Sequence, residues 1–383
     1  IKRLALHEVG HTLGLNHNFK GSYLHNVNDV HNTEITSKLG VTASVMEYPA
    51  INLAPVGIEQ GDYFDVAPGP YDIWAIKYGY TPDLTVEQLD NIISEQNKHE
   101  HMFANDSEDM RSPGRGIDPR AMIYDLTSDP ITYATQRIEL IKDAQENIVS
   151  KLTGNIETFE EFRLAHSIFI REHARSLEVI SRHIGGVYVE RFDPKNSITK
   201  KPYSPTPSEE QRRAMESLNK FAFAPEAFPI NSELLEMVQV ERRMFELYGE
   251  HEDPQMHKII LGIQNRVLDH VLSAWTLARI SDTELYGNDY SVYEVMDDLT
   301  ESIFTGDSNN EVNSIRRNLQ TAFVRRLIDI LAQSYYDEFA TAAAYNSLRK
   351  IEKIVKKSSN HLPTKSHRKL ISWIIESGLD RAN

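Results

Sequence analysis

The run from His7 to His17, HEVGHTLGLNH, constrains this chain more than any other stretch. Residues three and four apart on an α-helix share a face, so His7 and His11 point the same way if the run is helical. Two imidazoles on one helix face can grip one metal ion. Glu8, next to the first of them, can lie beside a metal-bound water and take its proton. Gly14 follows three residues after His11, and glycine readily takes the positive φ that ends a helix and turns the chain. That turn lets His17 swing back as a third nitrogen ligand. Three protein nitrogens leave a fourth position for water, which is the catalytic rather than the structural arrangement of zinc. The pattern HExxHxxGxxH fixes five positions and is far more specific than a bare HExxH. His166, His173 and His183 have no such pattern and are expected to be surface or satisfied core histidines.

The rest of the composition narrows the alternatives. The chain of 383 residues carries 41 Lys and Arg against 56 Asp and Glu, a formal charge of −15. That balance argues against nucleic acid, whose phosphates demand a basic surface, and against an anionic membrane surface. The lysine run KIEKIVKK, residues 350–357, is a solvated helix face on this view. No apolar run is long enough to cross a bilayer. The absence of cysteine removes disulfides and thiolate ligands, leaving histidine and carboxylate as the ligand supply. With 40% hydrophobic residues a sizeable core is within reach.

The motif resembles the metzincin clan of zinc metallopeptidases. Members share a methionine-containing tight turn beneath the metal, and VTASVMEYPAINLAP offers Met46 at a spacing from His17 that is ordinary for the clan. In the astacin-like and serralysin-like branches a tyrosine two residues after that methionine reaches the zinc, then swings away to bind the oxyanion. The resemblance therefore gives Tyr48 that role, and a packed tyrosine on a turn is the alternative. Asn18, directly after the third histidine, departs from the familiar branches. The segments HNFKGSY, VTASVMEY, GPYDIWAIKYGY, IDPRAMIYDLTSDP and ISRHIGGVYVERF are similar to secreted bacterial zinc-dependent metalloproteases of the Bacteroidota type. This similarity covers about the first half of the chain and, more loosely, the region of QRRAMESLNKFAF. It implies a zinc endopeptidase acting on peptide or protein substrates, and a secreted or cell-envelope location. It also implies a strand-rich half before the motif helix, whose edge strand holds the substrate backbone. The chain starts inside a helix-like pattern, with Ile1, Leu4, Ala5 and Val9 already at helical spacing, so we expect the C-terminal part of a longer protease, with the activity of this part on its own left open. A complete protein beginning here would expose the apolar face of that helix.

Along the chain, residues 1–128 are expected to form the motif helix, the methionine turn and the C-terminal part of a metzincin-like catalytic domain. Residues 129–383 are expected to form an α-helical domain, with a split near 191–208. Residues 18–60 read as loops and GPYDIWAIKYGY as a helix from about Pro70 to Tyr78, with Trp74 and Ile76 in the core. His99 and His101 read as solvated loop residues, and Asp118 with Arg120 as a structural ion pair. From Pro130 onward apolar residues recur at three and four spacing, through ITYATQRIELIKDAQENIVSKL, EEFRLAHSIFIREHARSLEVISRHIGG, SEEQRRAMESLNKFAF, NSELLEMVQVERRMFELYG, HKIILGIQNRVLDHVLSAWTLARI, a long run from Asn309 to Lys357, and SHRKLISWIIESG. The fold class expected is mainly α: the C-terminal subdomain of a metzincin-like catalytic domain followed by an irregular helical bundle.

Two functions follow. In the first, zinc on His7, His11 and His17 polarises the scissile carbonyl, Glu8 is general base and then general acid, Met46 floors the site, and Tyr48 assists at the oxyanion. In the second, the helical region is a non-catalytic interaction or scaffold domain, and the zinc site is structural or a relic.

Overall fold

The computed structural model describes residues 1–108, 113–154, 156–191, 201–240 and 252–382. It is mainly α, as the periodicity predicts, with one two-stranded sheet among the described residues. The chain forms two compact units, residues 1–140 with 186–206 and residues 141–185 with 207–383. The connection expected near 191–208 falls in part, at 192–200, outside the described residues.

The first unit holds helices α1 (Lys2–Thr12), α2 (Thr33–Leu39), α3 (Pro70–Tyr80), α4 (Val86–Ser94) and the start of α5 (Pro130–Leu152). Strands β1 (Val187–Val189) and β2 (Tyr203–Pro205) pair antiparallel with Val187 opposite Pro205. Much of the unit is irregular backbone around a small apolar cluster of Val30, Val41, Ala50, Leu126 and Tyr133. Two helices of this unit lie where the sequence reading places none. Helix α2 lies inside the stretch read as loops, where Asn32 is an N-cap whose Oδ1 accepts from Glu34 N at 3.0 Å. Helix α4 opens on a capping box, Thr85 with Gln88, which the sequence spells as T-x-x-Q. Helix α3 runs two residues past its expected end; Trp74 and Ile76 are half-buried. On α1 the apolar Leu4 and Val9 are 61% and 52% exposed.

Of these two histidines His99 is exposed, as expected, and His101 is not. His101 is buried, its ring stacked on Trp74 at 4.8 Å and its Nδ1–H donating to Glu95 O at 2.9 Å. The His99 Nε2–H donates to Tyr23 O at 2.7 Å. Asp118 and Arg120 do pair, at 2.9 Å, and the buried Lys20 Nζ joins the same carboxylate at 2.9 Å.

The second unit continues α5 and adds α6 (Glu160–Ser181), α7 (Ser208–Leu218), a π-type turn at Asn219–Phe223, α8 (Ser232–Met237), α9 (Met256–Val271), α10 (Ala274–Glu284), α11 (Val292–Phe304), α12 (Ser314–Ala332), α13 (Glu338–Val355) and α14 (Leu362–Ala382). Its apolar stripes face inward, as on α11, where Val292, Val295, Met296, Leu299 and Ile303 are buried. The stretch read as one helix from His257 to Ile280 is two, because Ser273 caps α10 by accepting from Thr276 N at 3.1 Å. The long run from Asn309 breaks likewise before α13, where Asp337 accepts from Ala340 N at 2.7 Å. Of the helix expected over residues 231–249, α8 is seen and residues 241–249 lie outside the described ones. Among the described residues no helix is long and apolar enough to cross a membrane.

Candidate metal centre

Helix α1 ends where the motif needs it to. Gly14 takes φ +86°, its N–H donates to His11 O at 3.0 Å, and Leu15 N–H donates to Gly10 O at 3.0 Å. This pair of bonds is a Schellman motif, which satisfies the last carbonyls of the helix and reverses the chain. The reversal brings His17 back beside His7 and His11. One ring nitrogen from each of the three histidines lies within 4.8 Å of the other two.

Each ring is oriented by an acceptor on its far side. The Nδ1–H of His7 donates to Val45 O at 2.7 Å, that of His11 to Leu15 O at 3.0 Å, and that of His17 to the Asp106 carboxylate at 2.9 Å. A carbonyl or carboxylate can only accept, so Nδ1 carries the proton and every Nε2 presents its lone pair. Nε2 of His7 and of His17 are buried without a hydrogen-bond partner. Burial lowers the His7 pKa, with His11 and His17 adding to the effect, so the ring favours the neutral form that binds metal. Two orphaned buried nitrogens and a third beside them, all in the ligating tautomer, fit a single metal ion.

Beneath the cluster lies the turn around Met46, which is fully buried. A Cβ on Gly10 would lie 2.4 Å from the Met46 sulfur, so the glycine before His11 is what lets the helix sit on the turn. Asp72, in the first turn of α3, secures the turn: its Oδ2 accepts from Val45 N at 2.9 Å and Gly69 N at 2.9 Å, while Ser44 Oγ donates to its Oδ1. Glu47 is buried and accepts from Ser22 N at 3.0 Å and Tyr48 N at 2.8 Å. Complete burial, reinforced by Asp125, pushes its carboxyl well above the usual range. Tyr48 is 37% exposed, its ring 4.7 Å from that of His17 and 5.2 Å from that of His7. Glu8 lies exposed on α1 next to His7.

The structure thus brings together His7, His11 and His17, with Tyr48 against the rings and Met46 below. Three supporting residues have contacts that the sequence does not spell out. Asp106 meets His17 across 89 positions. Asn18 is buried and ties the loop after His17 to two others: its N–H donates to Met46 O at 3.2 Å, and its Nδ2 to Met102 O at 2.9 Å. Phe19, fully buried, stacks on His17 at 5.3 Å.

A helix presenting two histidines, a glycine turn returning a third, and a buried methionine turn beneath them define a metzincin-type zinc metalloprotease-like domain. A family model described as Met-zincin matches residues 1–311, and the chain belongs to that family, which implies a metal, usually zinc. No curated protein and no solved structure matches the chain.

Proposed function

We propose that the protein is a zinc-dependent endopeptidase whose metal is held by His7, His11 and His17. The observation that carries this is the shared tautomer: three imidazoles, each pinned at Nδ1, aim Nε2 at one place. Among the described residues the cluster contains these three ligands and no fourth, the open arrangement of a catalytic site. Bound zinc supplies a Lewis acid for the scissile carbonyl and acidifies water to a pKa of about 7. Glu8, exposed beside His7, accepts the proton of the attacking water and returns it to the leaving amine. Tyr48, with its ring against His7 and His17, donates its phenol hydrogen bond to the oxyanion. Met46 and Gly10 set the height of the helix over the turn and touch no reacting atom.

Glu8→Gln separates metal binding from chemistry. The variant is expected to retain about one zinc per chain and to lose hydrolysis of an unstructured protein substrate by about 10²-fold or more. Turnover equal to that of the parent would remove Glu8 from the mechanism.

A further inference from the structure

The three histidines are anchored by different means. His7 and His11 donate to main-chain carbonyls close to hand, Val45 O in the methionine turn and Leu15 O in the turn that ends α1. His17 alone donates to a side-chain carboxylate, with both oxygens of Asp106 at 2.9 Å from Nδ1. That carboxylate is 63% exposed and belongs to a short loop that closes on itself. Asn105 Oδ1 accepts from Ser107 N at 3.0 Å, and Glu108 Oε2 accepts from Asn105 N at 3.0 Å. The loop is held from the other side by Arg191, two residues past β1, whose Nε donates to Glu108 Oε1 at 2.6 Å.

We propose that Asp106 is the positioning residue of the third metal ligand. It meets the nitrogen that faces away from the cluster, so it does not compete for the metal. An anion on Nδ1–H fixes the tautomer and plane of the ring and raises the basicity of Nε2 toward a cation. Backbone carbonyls do the first for His7 and His11; only the carboxylate adds the second in full. Because Asp106 faces solvent, removing it opens no cavity and leaves the apo fold intact. The Arg191–Glu108 pair holds the loop that carries it.

This inference rests on the proposed zinc site, and the test separates the two. Zinc affinity is measured on the full chain by competition with a chromophoric chelator, alongside the melting temperature of the zinc-free protein and the ¹⁵N shifts of the His17 ring. Asp106→Ala is expected to weaken zinc by about 10–100-fold, with unchanged zinc-free melting and His17 shifts that move toward a mixture of tautomers. Asp106→Asn, which keeps an acceptor without the charge, is expected to fall between parent and alanine. Parent-like zinc affinity in Asp106→Ala overturns the role of Asp106 and leaves the zinc site standing. Weakened zinc accompanied by a lowered zinc-free melting temperature makes Asp106 a structural residue and overturns the inference too. A parent protein that binds no zinc overturns the site, and the inference with it.

Discussion

The two units keep their buried backbone satisfied in different ways. In the second, helices do it internally, and side chains are left free to pack: on α12, Leu319, Phe323, Val324, Leu327 and Ile330 are all buried. In the first, long stretches have no regular partner, and buried polar side chains stand in. Asp65 accepts from Val41 N at 2.6 Å and Thr42 N at 3.0 Å; Asn52 Nδ2 donates to Val30 O and Asp62 O, both at 2.9 Å. Asp72, Glu47 and Asn18 do the same around the methionine turn. Since buried N–H and C=O groups must be paired, an irregular unit needs such a side chain at each unpaired turn. The metal cluster gains from this: the buried Val45 O, which no helix or sheet uses, is left to hold the His7 imidazole.

The contrast predicts where single changes hurt most. The second unit also contains buried polar knots, and the most enclosed of the arginines in them is Arg316, which is fully buried. Its Nε donates to Asp307 Oδ2 at 2.7 Å, its Nη2 to Ile303 O at 2.7 Å and Ser302 O at 2.9 Å in the last turn of α11, and its Nη1 to Phe223 O. One guanidinium thus satisfies the end of a helix and the end of the π-type turn. Arg316→Met leaves a buried carboxylate and three carbonyls behind, and is expected to cost about 3–5 kcal/mol in urea unfolding followed by helical circular dichroism. A loss below about 1 kcal/mol, the median worth of a surface pair, would show that apolar packing carries this unit alone.

The matching weak point of the first unit is Gly69. Its φ of −81° is ordinary, so freedom of rotation is not the issue. A Cβ there would sit 2.1 Å from Ala43 O, against backbone that cannot swing aside. Gly69→Ala must displace the contact between Tyr71 N and Ala43 O, now 3.0 Å, and with it the grip of Asp72 on the turn. The expected cost is about 3 kcal/mol, together with weakened zinc in the same chelator competition. Unchanged zinc affinity would mean that the methionine turn does not depend on α3.

The same contrast explains what the sequence could tell. His7, His11, Gly14 and His17 are local to one helix and its end, and spacing alone places them. The helices of the second unit are legible because apolar residues recur with the helical period. Their ends were missed where a cap sits inside an apolar run, as Ser273 and Asp337 do. Helix α11 went unpredicted although Ser291 and Glu294 form a capping box at its start, a signal present in the letters. In the first unit the decisive contacts are long-range bonds from single polar side chains to backbone. Neither Asp65 nor Asp106 has a periodic or local pattern that marks it, and the place of Asp72 at the third position of α3 marks its bond to Gly69 N but not its grip on Val45 N. The burial of His101 is illegible for the same reason: the Trp74 ring it stacks on is distant in sequence.

Acid should tell the units apart with the smallest of these effects. In the second unit His173 is buried, donates from Nε2 to Phe221 O at 3.0 Å and stacks on Phe228 at 4.7 Å. Burial drops its pKa from 6.5 to about 4. Between those values the unfolded chain takes up a proton that the fold refuses, so stability is intact above pH 6.5 and falls as the pH drops toward 4. By pH 5 this one residue should account for about 2 kcal/mol. His367, also lowered to about 4 by burial, acts in the same direction. In the first unit burial lowers His7 and His31 in the same direction but raises Asp65 and Asp72, whose contribution holds below the usual carboxylate range and weakens as the pH rises. Acid therefore weakens the helical unit without help from these carboxylates. His173→Gln keeps an N–H for the Phe221 carbonyl and cannot titrate. Urea midpoints of the zinc-free chain at pH 7 and pH 5 should converge in the variant by about the amount His173 costs the parent. An identical pH dependence in both proteins would place the acid sensitivity elsewhere.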